Sequence, residues 1–257
     1  MVERLSKNQR QERILMQLGN NVTVRIMSLA EQFNVTTETI RRDIDELTDK
    51  GLVSRTYGGA ASNSLTTEPN IHQRRQANVA ERERVARYAA TLIEPGDVLM
   101  IDSGSTTGHF AKALAARIIK LTVLTNCIPV LQGFGGHPEV RVIMCPGEYR
   151  DTENGVYGHQ TTSFLEHFQA NKAIIGAGGI TEIDVTDADA EASWVKRKMI
   201  ERSERTLLLL DHGKFDKRMF DNVCSLKDID DLIVDKKPPE VINRALKAAS
   251  VRLHVAK

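Results

Sequence analysis

The sequence predicts a multi-domain α/β protein. A small N-terminal domain of helices closed by a β-hairpin precedes a larger domain built on a mostly parallel sheet. Three observations carry this. Residues 5–48 place apolar side chains three and four apart in three short runs, and LVSRTYGGA (52–60) then alternates toward a Gly58-Gly59 turn. Beyond Pro95-Gly96, apolar runs of strand length alternate with helical stretches. Between the two, from Ala61, the chain turns to small polar residues around Pro69. The expected boundaries are 1–60 for the first domain, 61–76 for a linker and 77–257 for the second domain.

A chain of 257 residues, 41% apolar and 27% charged, has the material for one or two ordinary folded domains. The net charge is only +1, and residues 1–60 hold nine Lys/Arg against eight Asp/Glu. Bulk charge therefore gives no sign of a nucleic-acid binder. Any such role must rest on arrangement, with Arg4, Lys7, Arg10, Arg41, Arg42 and Arg55 expected on a phosphate-facing side. The start, MVERLSKNQRQER, has no apolar core for a signal peptide, and no stretch approaches 18 apolar residues. Cys127, Cys145 and Cys224 are scattered and odd in number. Together these fit a reduced cytoplasm, with no membrane as partner. The seven histidines show no metal-ligand spacing, so neither a metal nor a cofactor is expected.

Residues 5–18 read as a polar helix that turns apolar at Ile14, Leu15 and Leu18 and stops at Gly19-Asn20. Val22-Thr23-Val24 is short and β-like. Ile26, Leu29, Ala30 and Phe33 space a second helix over 25–33, and Asn34-Val35 makes the turn. Thr36 sits where an N-cap hydroxyl belongs, ahead of a third helix reaching residue 48. Ile40, Ile44 and Leu47 form its apolar stripe, Arg42 and Glu38 lie opposite, and Arg41 and Asp45 flank that face. An apolar back and a front of Thr, Arg and Arg is the layout of a DNA recognition helix. Its free N–H groups, with Thr36 and Thr37, suit a DNA phosphate. Lys50-Gly51 ends the helix. The following hairpin is a β-wing that places Arg55 and Tyr57 against DNA backbone or minor groove. Periodicity alone fits a small three-helix interaction domain equally well.

The run VTTETIRRDIDEL followed by GLVSRTYGGA resembles the signature of the DeoR/GlpR family of bacterial transcription regulators, a long pattern with few free positions. The resemblance implies a DeoR-type winged helix-turn-helix with Thr36, Thr37, Thr39, Arg41 and Arg42 at double-stranded operator DNA, and Tyr57 and Gly58 in the wing.

In the second domain, residues 79–93 read as a helix with Val85, Ala86, Ala89, Leu92 and Ile93 inward. Arg74, Arg75, Arg82, Arg84 and Arg87 are expected on a solvated face or, alternatively, at phosphates. Strands are expected at 97–102, 121–126, 140–145, 172–177, 206–211 and 231–235, with VRLHV closing the chain. Helices are expected at 106–117, 161–168, 189–204 and 239–249. In such sheets ligands gather at the carboxyl ends of the strands. There the sequence places Asp102-Ser-Gly-Ser-Thr-Thr107, Thr125-Asn126, Pro146-Gly147-Glu148, Gly176-Ala-Gly-Gly179 and Asp211-His-Gly-Lys-Phe215. Hydroxyls beside a helix start make an anion cradle, and the absence of GK[ST] argues against a nucleoside-triphosphate loop.

IDSGSTT, LTN, PGEYR and DHGKF look like blocks of the DeoR-family sensor domain, so the resemblance covers nearly the whole chain. It implies a fold related to ribose-5-phosphate isomerase and coenzyme A transferases, and a pocket for a phosphorylated sugar or polyol effector. By those blocks the pocket takes Asp102, Gly104, Ser105, Thr106, Thr107, Asn126, Gly147, Glu148 and Lys214. The run GGITEIDVTDADAEASWVKRKMI departs from the pattern, being acidic and lacking a familiar glycine. Its Asp187, Asp189 and Glu191 either bind ligand hydroxyls, Lys196 or Arg197, or charge a helix N-terminus favourably.

The expected function is a repressor of a sugar or polyol catabolic operon, binding as a homo-oligomer (dimer or tetramer) and released by its effector. An alternative is a sugar-phosphate isomerase with an appended DNA-binding domain, using Glu148, Asp102 and Lys214 as acid/base groups. A third is an architectural DNA-binding protein without a ligand, which the near-neutral charge disfavours.

Overall fold

The structure, a computed structural model, describes the chain apart from residues 1–4, 21–22, 51, 57, 63–64, 66–67, 69–70 and 118. It divides into two compact units, Met1–Pro69 and Asn70–Lys257. That division falls within the expected linker, 61–76, whose described residues include the end of the wing strand at Ser62 and the helix Ile71–Gln76 with Ile71 buried. Polar composition hid both, since Ile71 is the sole apolar side chain in that helix.

The first unit has helices Lys7–Asn20, Ile26–Phe33 and Thr37–Asp49 on a three-stranded antiparallel sheet, with Gly59–Ser62 between Thr23–Arg25 and Val53–Thr56. Ile14, Leu29, Ile40, Ile44 and Leu47 fill its core. Asn34, left-handed at φ 51°, turns the second helix toward the third. Thr36 caps the third by accepting from the Thr39 N–H at 3.2 Å. Gly59 is needed for a close approach, because a Cβ there would run into the Val24 carbonyl. Gly51 and the Val22 start of the first strand lie outside the described residues.

The second unit carries seven parallel strands in the order Arg252–Val255, Asp231–Val234, Ser203–Leu210, Ala170–Ile175, Val98–Ile101, Leu121–Thr125 and Val140–Met144. Side chains alternate between two cores. Leu99, Ile101, Leu207 and Leu209 face one, with the helices Val79–Thr91 and Ser105–Ala115. Met100, Leu208 and Leu210 face the other, with Ala190–Glu201 and Glu240–Ala248. The chain enters at Val98–Ile101, winds outward to Val140–Met144, then returns to lay Ala170–Ile175 against its first strand. That reversal opens a crevice at the carboxyl ends of the two central strands. Beyond the expected elements lie an antiparallel hairpin, Glu148–Arg150 with Gly155–Tyr157, and a small sheet of Gly179–Ile180, Asp184–Asp187 and Asp221–Ser225. Ile128–Gly133 is a helix. The three thiols are free and buried.

Candidate functional site

In the first unit the third helix presents Thr36, Thr37, Arg41 and Arg42 to solvent, with Thr39 half-buried. Of the two arginines Arg42 is the more open, its side chain 78% exposed against 51%, and Glu38 is its neighbour at 3.8 Å. Arg55 stands on the wing strand beside Asp45 at 3.0 Å, so wing and helix present one polar surface. Tyr57 and Arg4 lie outside the described residues. Arg10 is a correction: it is buried, and its guanidinium grips Asp43 through Nε–Oδ2 and through Nη2–Oδ1 at 3.0 Å. Asp43 sits on the apolar stripe between Ile40 and Leu47, so its charge needs a buried partner, and Arg10 pins the first helix to the third. Arg10 is therefore structural and faces no phosphate. Lys7 is likewise paired, with Glu46 at 2.6 Å.

In the second unit a cavity opens in the central crevice. One wall is the strand-to-helix turn with Asp102, Ser103, Gly104, Ser105 and Thr106. The ends of the neighbouring strands add Gly176, Ala177, Leu209, Leu210 and Asp211, and Asp187, Lys196, Lys214 and Arg74 complete it. The first N–H groups of the Ser105–Ala115 helix have no intrahelical partner, so this wall is electropositive at the backbone. Of the residues expected in the pocket, Asp102, Gly104, Ser105, Thr106 and Lys214 line the cavity. Four stand off it. Thr107 is fully buried, its hydroxyl donating to the Asp102 carbonyl at 3.0 Å and tying the turn together. Asn126, also buried, donates to the Val156 carbonyl at 3.0 Å and holds the hairpin. Gly147 makes the turn into that hairpin at φ 152°, where a Cβ would run into Thr161 and the Tyr157 carbonyl. Glu148 is exposed on the hairpin strand, so the three acid/base groups of the isomerase alternative are not assembled.

What sequence reasoning missed is the burial of charged residues; of its alternatives for Asp187, the pair with Lys196 is present. Lys196, 4% exposed, bridges Asp102 Oδ2 at 3.2 Å and Asp187 Oδ2 at 3.1 Å. Burial pushes the Asp102 carboxyl up to about 6, with Lys196 opposing. Burial works against the Lys196 charge too, but Asp187 and Asp102 prevail and its pKa is raised, so it stays an ammonium. Arg82, expected at solvent or at phosphates, is 3% exposed and pairs with Asp211 at 2.9 Å, while its Nη1 donates to the Arg74 carbonyl. Burial alone would raise Asp211, but Arg82 and Lys214 hold it below the usual range. Arg87 keeps the expected solvated face beside Glu83, whereas Arg84 is half-buried between Glu81 and the buried Asp235 at 4.0 Å. A signal existed: Lys196 falls on its helix's inner stripe with Ala192, Val195 and Met199, and Arg82 on its own with Val85, Ala86 and Ala89. A charge on an apolar stripe announces a buried partner.

The acidic run resolves into separate tasks. Asp187 takes Lys196. Asp189 caps the Ala190–Glu201 helix, accepting from Glu191 N–H at 2.8 Å, and meets Arg150 at 2.8 Å. Glu191 also pairs with Arg150, whereas Arg197 pairs with Asp221 at 2.8 Å. Among the described residues no group of three or more His, Cys, Asp or Glu could hold a metal, and no helix is long and apolar enough to cross a membrane.

A helix-turn-helix unit with a basic front, joined to a unit with a polar crevice, defines a DNA-binding regulator with a ligand-sensing domain. Family comparison agrees: the DeoR-like helix-turn-helix domain matches residues 10–66 and the DeoR C terminal sensor domain residues 77–236. The chain belongs to the DeoR family of transcription regulators. It is 31% identical to the glycerol-3-phosphate regulon repressor of Escherichia coli, over 98% of this chain and 100% of the relative. It is 29% identical to the L-fucose operon activator of Haemophilus influenzae, over 92% of this chain and 95% of the relative. Ribose 5-phosphate isomerase A from Methanocaldococcus jannaschii aligns with a TM-score of 0.41 and 16% identity, over 54% of this chain and 55% of that one.

Proposed function

We propose that this regulator represses a sugar or polyol catabolic operon and leaves its operator when a phosphorylated sugar or polyol occupies the C-terminal cavity. The observation that carries the reading is the cavity wall itself. Ser105 and Thr106 stand at the helix start, where the first N–H groups lack intrahelical partners, and Lys214 and Arg74, the latter paired with Glu153, line the same cavity, a setting that suits a phosphate. Asp102 and Asp187 supply acceptors for hydroxyls. Thr36, Thr37, Thr39, Arg41 and Arg42 contact the operator, with Arg55 and Tyr57 on the wing. Operators read by such units are commonly two half-sites, so the working form is a homo-oligomer. The repressor named for glycerol 3-phosphate makes that compound a first choice in any effector panel.

The test is titration of an operator, selected from random DNA with the purified chain, at one salt concentration. A panel of sugar and polyol phosphates is added at saturating level. At least one should lower operator affinity by fivefold or more, the low end of ordinary allosteric coupling. Unchanged affinity across the panel contradicts effector release, and a gain in affinity reverses its sign.

A further inference from the structure

Asp102 is a buried carboxylate with one oxygen engaged and the other bare. Oδ2 accepts from Lys196 Nζ and from the Gly176 N–H, each at 3.2 Å. Oδ1 meets no hydrogen-bond donor, although the side chain is 1% exposed. Buried polar atoms are nearly always paired, so an unmet one inside a cavity wall points to a donor that arrives with a ligand. A Cβ built on Gly104 would come 3.7 Å from Oδ1, which places that oxygen against the same turn that offers Ser105 and Thr106. Lys196 is held away from it, sharing its ammonium with Asp187 at 3.1 Å.

We propose that Asp102 Oδ1 is the acceptor for an effector hydroxyl, and that it makes the cavity select phosphorylated alcohols over phosphates lacking a hydroxyl donor at that place. The inference rests on the phosphate-pocket reading above. An ionised carboxylate only accepts, so a hydroxyl gains a charge-assisted bond there, while a carbonyl or hydrocarbon leaves the oxygen bare. Sites built around such an acceptor reject analogues without the donor. Asp102 and Ser105 stand on one strand-to-helix turn, so a small ligand with its phosphate at the helix start has its neighbouring hydroxyls near Asp102. Lys196 acts as a positioning residue, fixing which oxygen is left for the ligand.

The test uses Asp102→Asn. Lys196 and Gly176 both donate to the Oδ2 place, so the asparagine turns its carbonyl there and its NH2 replaces Oδ1, converting an acceptor into a donor. Wild type and variant are titrated calorimetrically at pH 8 with inorganic phosphate, n-propyl phosphate and glycerol 3-phosphate, the last as the smallest polyol phosphate. Wild type should bind glycerol 3-phosphate at least roughly tenfold more tightly than n-propyl phosphate, as one charge-assisted bond implies. In the variant that margin should fall by about tenfold, while inorganic phosphate binds as well or better because a negative charge has gone. A margin absent in wild type, or unchanged in the variant with phosphate binding intact, overturns the role of Asp102 and leaves the phosphate pocket standing. Failure of all three compounds to bind overturns both. Should Asp102→Asn not fold, Gly104→Ala keeps the carboxylate and sets a methyl group beside Oδ1. The margin should fall there too, and its survival overturns the inference.

Discussion

Single charged residues decide both units, and position on the helix tells what each does. Arg42 projects from the open face of its helix, and Asp43, next in sequence, is 2% exposed. Arg42→Ala should therefore leave thermal stability unchanged. If it reads a base, it should lose about 1–3 kcal/mol of operator binding with relaxed preference at that base. A uniform loss over all sequences would assign it to a phosphate instead. Asp43→Ala strands Arg10 inside the core and should cost about 3–5 kcal/mol in denaturant unfolding of the N-terminal unit. Asp102 gives the pH prediction. Its folded pKa, about 6, lies above the ordinary 3.8, so its favourable contribution is complete below pH 3.8 and is lost as pH rises through 6. Relative to wild type, Asp102→Asn should thus gain stability at pH 8, on the order of 1–3 kcal/mol, and the gain should shrink toward pH 5. An equal difference at both pH values would show that Asp102 is not held against its charge.

At the level of elements, local pattern and long-range assembly part company. The recognition helix was legible because cap, stripe and stop lie within fifteen residues: Thr36, then Ile40, Ile44 and Leu47, then Lys50. The Asp102–Thr107 turn was legible for the same reason. The rest of the cavity was legible only in pieces: Gly176 and Asp211 stand at strand ends as expected, but the strand order that brings them together with Asp187 and Lys196 is prescribed by no spacing in the chain. Asn126, Gly147 and Glu148 show the converse. They stand at strand ends as expected, but their strands lie farther from the crossover, and they build the hairpin beside the cavity instead. The short pairs 148–150 and 155–157 and the strand 179–180 escaped notice because two or three residues carry no periodicity. The hairpin yields its own prediction. Gly147→Ala would place a methyl group against Thr161 and the Tyr157 carbonyl at a φ that L residues rarely adopt. It should lower the melting temperature of the C-terminal unit by several degrees, as read by near-ultraviolet circular dichroism, without removing any group that lines the cavity. A melting temperature equal to wild type would mean that the turn accommodates a side chain.

For the molecule as a whole, the near-neutral charge is the informative number. With nine basic and eight acidic residues in its first sixty, the DNA-binding unit cannot rely on sheer attraction, and part of each sign is spent on pairs such as Arg10–Asp43 and Lys7–Glu46. Binding then depends on a few residues held in one geometry. A bound effector acts only through its different affinity for the two states, and linkage makes the effect mutual. The most direct test of the account is therefore the closed cycle. Operator affinity is measured with and without a saturating sugar or polyol phosphate, and effector affinity with and without saturating operator, all at one salt concentration. The account predicts that each ligand weakens the other by the same factor, fivefold or more. Effector binding with full operator affinity retained, or a joint gain, would contradict it.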